Sequence, residues 1–375
     1  MAQNKPRARD LGVPFDGTPG PFNAVTDVSG VLVGHVTLIS GEGELRVGHG
    51  SVRTGVTGIL TRGRQYDPVF AATYSLNGVG EMTGVIYIEE SGWLEGPILF
   101  TNTHSVGAVH QAAIEWMAQH RFYRPGPKGV WGALPVVGET MDAALNDLNG
   151  FHVHREHVFE ALDVASSGSV AEGNVGGGTG MKCYDFKGGV GTASRRLAAE
   201  DGRYTVGVLV QANHGRRPNL TIAGVPVGQE IPDLMPEIAH AGLPTDGSSI
   251  LVAVATDAPL LPHQLKRLAR RVPLSIARTG GLGEHPSGDI FLVFSTANPG
   301  AAGQDGPVRL EMLPNERMDA LFLATVQATE EAIVNALVAA EAMSGVNGNV
   351  VHALPHDRLQ HVLRKYNRLI DDEKR

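Results

Sequence analysis

The chain has 375 residues, 42% hydrophobic and 19% charged, with 31 Lys and Arg against 39 Asp and Glu and a formal charge of −8. This excludes a disordered polyelectrolyte, and the acidic balance argues against a phosphate-backbone binder, which needs clustered Lys and Arg. The single cysteine, Cys183, excludes an internal disulfide framework and a zinc site built on cysteines. The opening MAQNKPRARDLG has no apolar core of a secretory signal, and no run reaches the roughly 18 apolar residues of a membrane span. The expectation is a cytoplasmic globular protein.

The 48 glycines are dispersed, which suits many short strands joined by tight turns. In chain order, the first twenty-five residues read as a Pro- and Gly-rich arm. Apolar runs at 31–39, 56–61, 85–89 and 98–101 predict strands. Helical spacing at 108–120 places Val109, Ala112, Ala113 and Trp116 on one face. A strand at 134–137 and a short helix at 158–165 follow, then strands at 204–211 and 220–227 joined as a hairpin. A turn-rich segment, 239–249, ends in the continuous apolar run 250–255, which suits a strand covered on both faces. Asp257 and Pro259 predict the start of a helix whose basic end lies near 271. A buried strand at 289–295, a long Ala-rich helix at 318–343 and a last helix near 356–366 complete the pattern, before a frayed tail. Strands cluster centrally, helices are few, and no repeat occurs. The expected fold is an α/β sandwich in which packed sheets are covered by helices.

The switch from polar to apolar at Ser248-Ser249-Ile250 carries the sharpest chemical signal. A serine hydroxyl is a poor nucleophile without a base. If the chain were cut just before such a serine, the freed α-amine, with an ordinary pKa of about 7.7–8.0, would supply that base on the same residue. The plain alternative is a β-turn ending in serine. Ser287 and Asp289, two apart before another buried strand, point to one face and pair a hydroxyl with a carboxylate, or else simply cap the strand. Glu139, where the run LPVVGE emerges, suits a substrate ammonium, or is a solvated strand end. His152, His154 and His157 approximate the H-x-H-x-D-H zinc pattern of metallo-β-lactamase-type hydrolases, with Glu156 in place of the aspartate; solvated histidines ahead of a helix are the alternative. The glycine run 173–180 lacks the Lys-Ser/Thr ending of a phosphate-binding loop and reads as a tight loop near a pocket.

Taken together, the blocks PFDGTPGPFNAVTDV (14–28), FTNTHSVGAV (100–109), ETMDAALNDLNGFHV (139–153), GNVGGGTGM (173–181), GVLVQANHGRRPNLTIAGVPVG (207–228), SILVAVATDAPLLPHQLKRLARR (249–271) and SGDIFLVFSTAN (287–298) resemble the DmpA-type serine aminopeptidases, which include the β-peptidyl aminopeptidases. The resemblance spans essentially the whole chain. It implies an αββα sandwich like that of N-terminal nucleophile hydrolases but with different connectivity. It also implies one catalytic domain, 1–375, that cuts itself into 1–248 and 249–375, with the two chains held together in homotetramers. The implied activity is removal of N-terminal L-, D-alanyl or β-amino residues from peptides, amides and esters without metal or organic cofactor. Residue by residue, the resemblance matches Ser249 to the nucleophile, Ser287 and Asp289 to the adjoining Ser-Gly-acid motif, Asn213 to the oxyanion side and Glu139 to the acid that holds the substrate amine. Two positions depart from it: Ser248 precedes the cut where Gly or Asn is common, so a cut before Ser248 is conceivable, and Met141 stands where some members carry a tyrosine. The ornithine acetyltransferases, related in fold and self-processing at a threonine, are the alternative enzyme class.

Overall fold

The structure, a computed structural model, describes residues 5–239, 248–303 and 306–370. Among these residues the chain runs through β1 (Leu32–Ser40), β2 (Val52–Leu60), β3 (Val69–Gly78), α1 (Val85–Ser91), β4 (Trp93–Leu94), β5 (Ile98–Asn102), α2 (Val106–Gln119), β6 (Val136–Thr140) and α3 (Arg155–Asp163). It continues through β7 (Lys182–Cys183), β8 (Phe186–Lys187), β9 (Gly189–Arg196), β10 (Thr205–Asn213), α4 (Val227–Glu230), β11 (Ser248–Thr256), α5 (Pro262–Ala269) and α6 (Val272–Arg278). Last come β12 (Ser287–Ser295), α7 (Asp319–Ala339), β13 (Met343–Ser344), β14 (Val350–Val351) and α8 (His356–Lys365).

Two sheets form the centre, one of order β1-β2-β5-β6 and one of order β4-β3-β12-β11-β10-β9. Because side chains alternate along a strand, each sheet has two apolar faces to cover. Leu209, Leu251, Ala253, Leu292 and Phe294 of the larger sheet meet Ile59, Ile98, Phe100 and Val136 of the smaller one between the layers. The other face of the larger sheet, with Val208, Val210, Ile250, Val252, Phe291 and Val293, packs under residues of α5 to α8. The outer face of the smaller sheet, with Val56, Leu99 and Val137, is covered by α2 and α3. The layers are therefore helix, sheet, sheet, helix, as the resemblance implies. β11 and β12 pair in parallel, Ser248 with Ser287 and Thr256 with Ser295. A parallel pair needs a crossover, and α5 and α6 supply it.

The 21 residues of α7 are long and apolar enough to cross a bilayer, but seventeen are buried within the protein. Of its two buried carboxylates the deeper, Glu331, is fully buried between Arg195 Nη2 at 2.7 Å and Arg9 Nε at 2.7 Å. The N-terminal arm is fastened to the same helix, with Ala8 N donating to Asn335 Oδ1 at 3.0 Å.

Several expected elements differ. Residues 85–89 form helix α1 rather than a strand; only Ile88 is buried, and Gly92 ends the helix in the left-handed region at φ 76°. Residues 220–227 form no strand: Ile222 and Val225 exchange backbone hydrogen bonds across a tight turn at Ala223 and Gly224, both at positive φ. The partner of β10 is instead β9, with β11 on its other side. The helix expected from Asp257 begins at Pro262, because Asp257 Oδ1 accepts from Thr205 N at 2.7 Å across the strand ends; its basic end is followed by the separate α6. β3 was not expected. The turn-rich segment 239–249 and the tail 371–375 lie outside the described residues except for Ala239, Ser248 and Ser249.

β9 crosses under α7 so closely that a methyl group on Gly191 would overlap the carbonyl of Ala332. Gly191→Ala should lower the unfolding free energy by about 2 kcal/mol, since overpacked cores lose roughly 1–3 kcal/mol. Urea denaturation measures this, and an unchanged midpoint would contradict the packing.

Candidate active site

β11 opens with two serines, and strand alternation sends their hydroxyls to opposite faces. Ser249 shares the intersheet face with Leu251; Ser248 shares the helix-side face with Ile250. Ser249 is 5% exposed, and its Oγ accepts from Gly288 N at 3.1 Å. Across the antiparallel β10 its register partner is Asn213. The Asn213 amide is held at both ends: its Nδ2 donates to the carbonyl of Met141 at 3.0 Å, and its Oδ1 accepts from Lys182 N at 2.8 Å. Met141 thus contributes a carbonyl that orients Asn213.

Glu139 lies near the end of β6, and its carboxylate turns toward this same strand end. Gly80 shows how closely: a Cβ there would lie 3.1 Å from Gly288 Cα and 3.2 Å from Glu139 Oε1. Glu81 N donates to Glu139 Oε1 at 3.0 Å, and the Thr103 hydroxyl donates to Oε2. Burial pushes the Glu139 carboxyl above the usual range, against the lowering effect of these two donors. Sequence reasoning passed over Thr103 and Glu81. Thr103 does stand in the FTNTHSVGAV block, but nothing local reveals that its hydroxyl meets a residue 36 positions away.

The Ser287 and Asp289 side chains project to one face as spacing predicts, and Ser287 Oγ donates to Asp289 Oδ1 at 2.6 Å. The pair sits against Ser248, not against the Ser249 hydroxyl: Ser287 Oγ lies 3.4 Å from Ser248 Oγ, which also accepts from Gly215 N at 3.3 Å. The structure therefore sets Ser249 and Asn213 together on the intersheet face at the end of β11, with Glu139 at the end of β6 beside Gly80, and sets Ser287 and Asp289 beside the 248–249 linkage from the other face. Burial pushes the Asp289 carboxyl up to about 6; the Ser287 hydroxyl pulls it down and the nearby Glu284 charge adds to the rise.

The three histidines do not converge on a metal position. His152 Nε2 contacts Asp147 Oδ2 at 2.9 Å, while His154 donates its backbone N–H to His157 Nδ1 at the start of α3. Among the described residues no group of three His, Cys, Asp or Glu side chains is placed to hold a metal. The glycine run turns inward at Gly176–Gly178, where Gly176 N and Gly177 N donate to the hydroxyls of Thr37 and Thr57. Those donors are spent on the protein, so the run cradles no phosphate. Lys182, beyond it, pairs with Asp185 at 3.1 Å.

The model of the family described as peptidase family S58 matches residues 23–351. Over 97% of its length this chain is 52% identical to "Beta-peptidyl aminopeptidase BapA" of Sphingosinicella microcystinivorans, covering 93% of that protein. Among solved structures, the L-aminopeptidase D-Ala-esterase/amidase of Ochrobactrum anthropi, described as a variant of the Ntn hydrolase fold, superposes with a TM-score of 0.89 at 48% identity, over 98% of this chain and 100% of that one. A Burkholderia sp. beta-aminopeptidase superposes with a TM-score of 0.86, also at 48% identity, over 96% of this chain and 99% of that one.

A carboxyl whose folded value of about 6 exceeds its ordinary 3.8 keeps its proton longer when folded, so ionising it costs stability. The stability of the wild type relative to Asp289→Asn should therefore fall by about 2–3 kcal/mol as pH rises through that window. Urea midpoints at a series of pH values test this; a difference that grows with pH would reverse the sign.

Proposed function

The chain belongs to peptidase family S58, and from that premise we propose that it is made as a precursor, cuts itself between Ser248 and Ser249, and then acts through the freed N-terminal serine. It is a serine aminopeptidase, a hydrolase that takes peptide substrates. The observation that carries the proposed mechanism is the strand-end register: Ser249 faces Asn213 and Gly288 at the intersheet end, while the hydrogen-bonded Ser287 and Asp289 abut Ser248.

In the precursor, Ser249 Oγ attacks the Ser248 carbonyl carbon. The C–N bond breaks as the C–O ester forms, and the proton of the hydroxyl passes to the departing nitrogen. Water then hydrolyses the ester, leaving a carboxylate on Ser248 and a free amine and hydroxyl on Ser249. In turnover the amine accepts the hydroxyl proton as Oγ attacks the substrate carbonyl. Asn213 and backbone N–H groups stabilise the oxyanion; losing one such donor typically costs about 10²–10³ in rate. The proton passes to the leaving amine, and water then hydrolyses the ester on Ser249, releasing the first residue as its free acid and restoring the hydroxyl. Ser287, with its own proton committed to Asp289, presents lone pairs on the side where the new amine appears, and so orients it. Glu139 holds the substrate ammonium, which confines attack to the first residue.

The names of the relatives point to β-amino N-termini and to D-alanyl esters and amides as substrates, and we extend that range to this chain. Association of the two pieces, assembly of four processed units and a cytoplasmic location belong to the same proposal.

Ser249→Ala should give one uncut chain without activity. Intact mass and N-terminal sequencing read this, and splitting at the same bond would remove Ser249 from its role. In the wild type, a second piece beginning at Ser248 would instead shift the nucleophile onto the face that holds Ser287. Glu139→Gln should lower kcat/KM by at least about tenfold for free-amine substrates, the order of one charge-assisted hydrogen bond, and far less for N-acetylated ones. Equal losses would end the anchor assignment.

A further inference from the structure

Lys187, on β8, is fully buried, and among the described residues no carboxylate pairs with its ammonium. Its Nζ donates to the carbonyls of Met181 and Gly188, each at 2.8 Å, and to that of Gly178 at 3.4 Å. A buried cation without a counter-charge is costly even when its N–H groups are bonded. We propose that Lys187 is a positioning residue for the hydrolysis, whose charge acts through the 181–182 peptide to orient and strengthen Asn213 as an oxyanion donor. The proposal rests on Asn213 and Ser249 acting as described above.

An unbroken series of hydrogen bonds joins the two side chains. The Met181 carbonyl, which accepts from Lys187 Nζ, and the Lys182 N–H, which donates to Asn213 Oδ1 at 2.8 Å, are the two ends of one peptide unit. That unit is trans, so the two groups point in opposite directions and the lysine and the asparagine face each other across it. Asn213 Oδ1 belongs in turn to the amide whose Nδ2 donates to the Met141 carbonyl at 3.0 Å. All the dipoles run head to tail. Such chains polarise one another, so the cation draws electron density from the Asn213 Nδ2–H bonds and makes them better donors. The same contacts fix the rotation of the amide. Flipped, it would set an oxygen against the Met141 carbonyl and an N–H against the Lys182 N–H.

Glycines allow the close approach. A Cβ on Gly178 would overlap Val190 N, and one on Gly188 would overlap the carbonyl of Ala212, the residue before Asn213. The carbonyls around Nζ are thus drawn against β9 and β10. Three accepting carbonyls suit an ammonium with three N–H groups; a neutral amine would turn a lone pair on one of them. Burial pushes the ammonium down to about 7; the neighbouring Cys183 and Asp142 oppose that fall and Lys5 adds to it. A negative charge developing at the oxyanion favours the protonated form.

The test measures hydrolysis of an aminoacyl p-nitroanilide at neutral pH by wild type, Lys187→Gln, Asn213→Ala and the double variant, with kcat expressed per processed chain counted by intact mass. Lys187→Gln keeps a donor in place and removes the charge. A unit charge about 10 Å from a developing oxyanion, at an effective dielectric of about 20, is worth roughly tenfold in rate. Lys187→Gln should lower kcat by about that factor and leave KM within about twofold, because the oxyanion exists only in the transition state. In the Asn213→Ala background the same substitution should cost less than about twofold, since the group it acts through is gone. Gly191→Ala, which weakens the same sheet away from the site, is the control for lost stability and should keep its kcat. An unchanged kcat in Lys187→Gln, an equal fold-loss in both backgrounds, or a raised KM with kcat kept would each overturn the proposal. Where Lys187→Gln stops as a precursor, the four chains are compared by self-cleavage. An uncut Lys187→Gln beside a cut Asn213→Ala would then overturn it, and arrest of both, each with a wild-type urea midpoint, is the result expected of a shared role. Failure of the Asn213 reading shows separately, as an Asn213→Ala enzyme with wild-type kcat, and failure of the Ser249 reading as a Ser249→Ala chain that still splits.

Discussion

The parallel pairing of β11 with β12 holds the site together. It sets Ser248 opposite Ser287 and Ser249 opposite Gly288, and it is enforced along nine residues by apolar side chains buried on both faces. A slip of one residue would exchange the faces of every side chain on the strand, sending Leu251 and Ala253 toward the helices and Ile250 and Val252 between the sheets. Core packing thus fixes, to within one residue, which serine faces Asn213 and which faces Ser287. Positioning of the reactive groups is a by-product of burying the hydrophobic strands, at no extra cost in local order.

The same burial tunes the electrostatics. Glu139 and Asp289 approach the strand end from different faces, and desolvation raises both carboxyls above their ordinary range. Each retains a short hydrogen bond from a hydroxyl, Thr103 for one and Ser287 for the other, which opposes the rise. The two acids are thereby separated by their partners: one is held by Thr103 and Glu81 N, the other is committed to a serine. Elsewhere, buried charge is neutralised by pairing or by carbonyls. Glu331 is matched by Arg9 and Arg195, and the Lys187 ammonium, pushed down to about 7 by burial, donates to the carbonyls of Met181 and Gly188.

What was legible in the chain follows from how strongly each segment declares its environment. The run at 250–255 and the stretch 290–294 within the strand expected at 289–295 are apolar without interruption and lie in the centre of a sheet, so their burial on two faces is written in composition. The helix under the smaller sheet and the long α7 show their spacing and length equally plainly. β9 does not: GVGTASRR carries polar residues and two glycines, yet all but its last residue are buried, because α7, Glu331 and the N-terminal arm arrive to satisfy them. β3 is similar, apolar for half its length and exposed at its far end. The VIYIEES segment has strand-like residues but coils into α1, since only Ile88 has a core to enter.

The candidate site divides along the same line. Residue type and local alternation determined that Ser287 and Asp289 share a face, that a serine begins the most apolar strand, and that an acid ends the LPVVGE run, because each of these depends on neighbours within a few positions. Only the tertiary structure decided that Glu139 comes up against Gly80 in the neighbourhood of Gly288, that Thr103 and Glu81 hold it there, that Asn213 is clamped between Met141 and Lys182, and that the Ser287 hydroxyl meets Ser248 and not its neighbour's side chain. Those contacts join residues tens of positions apart whose approach is set by how two sheets stack. Packing of whole layers has no local signature, because its energy is spread over the entire apolar core.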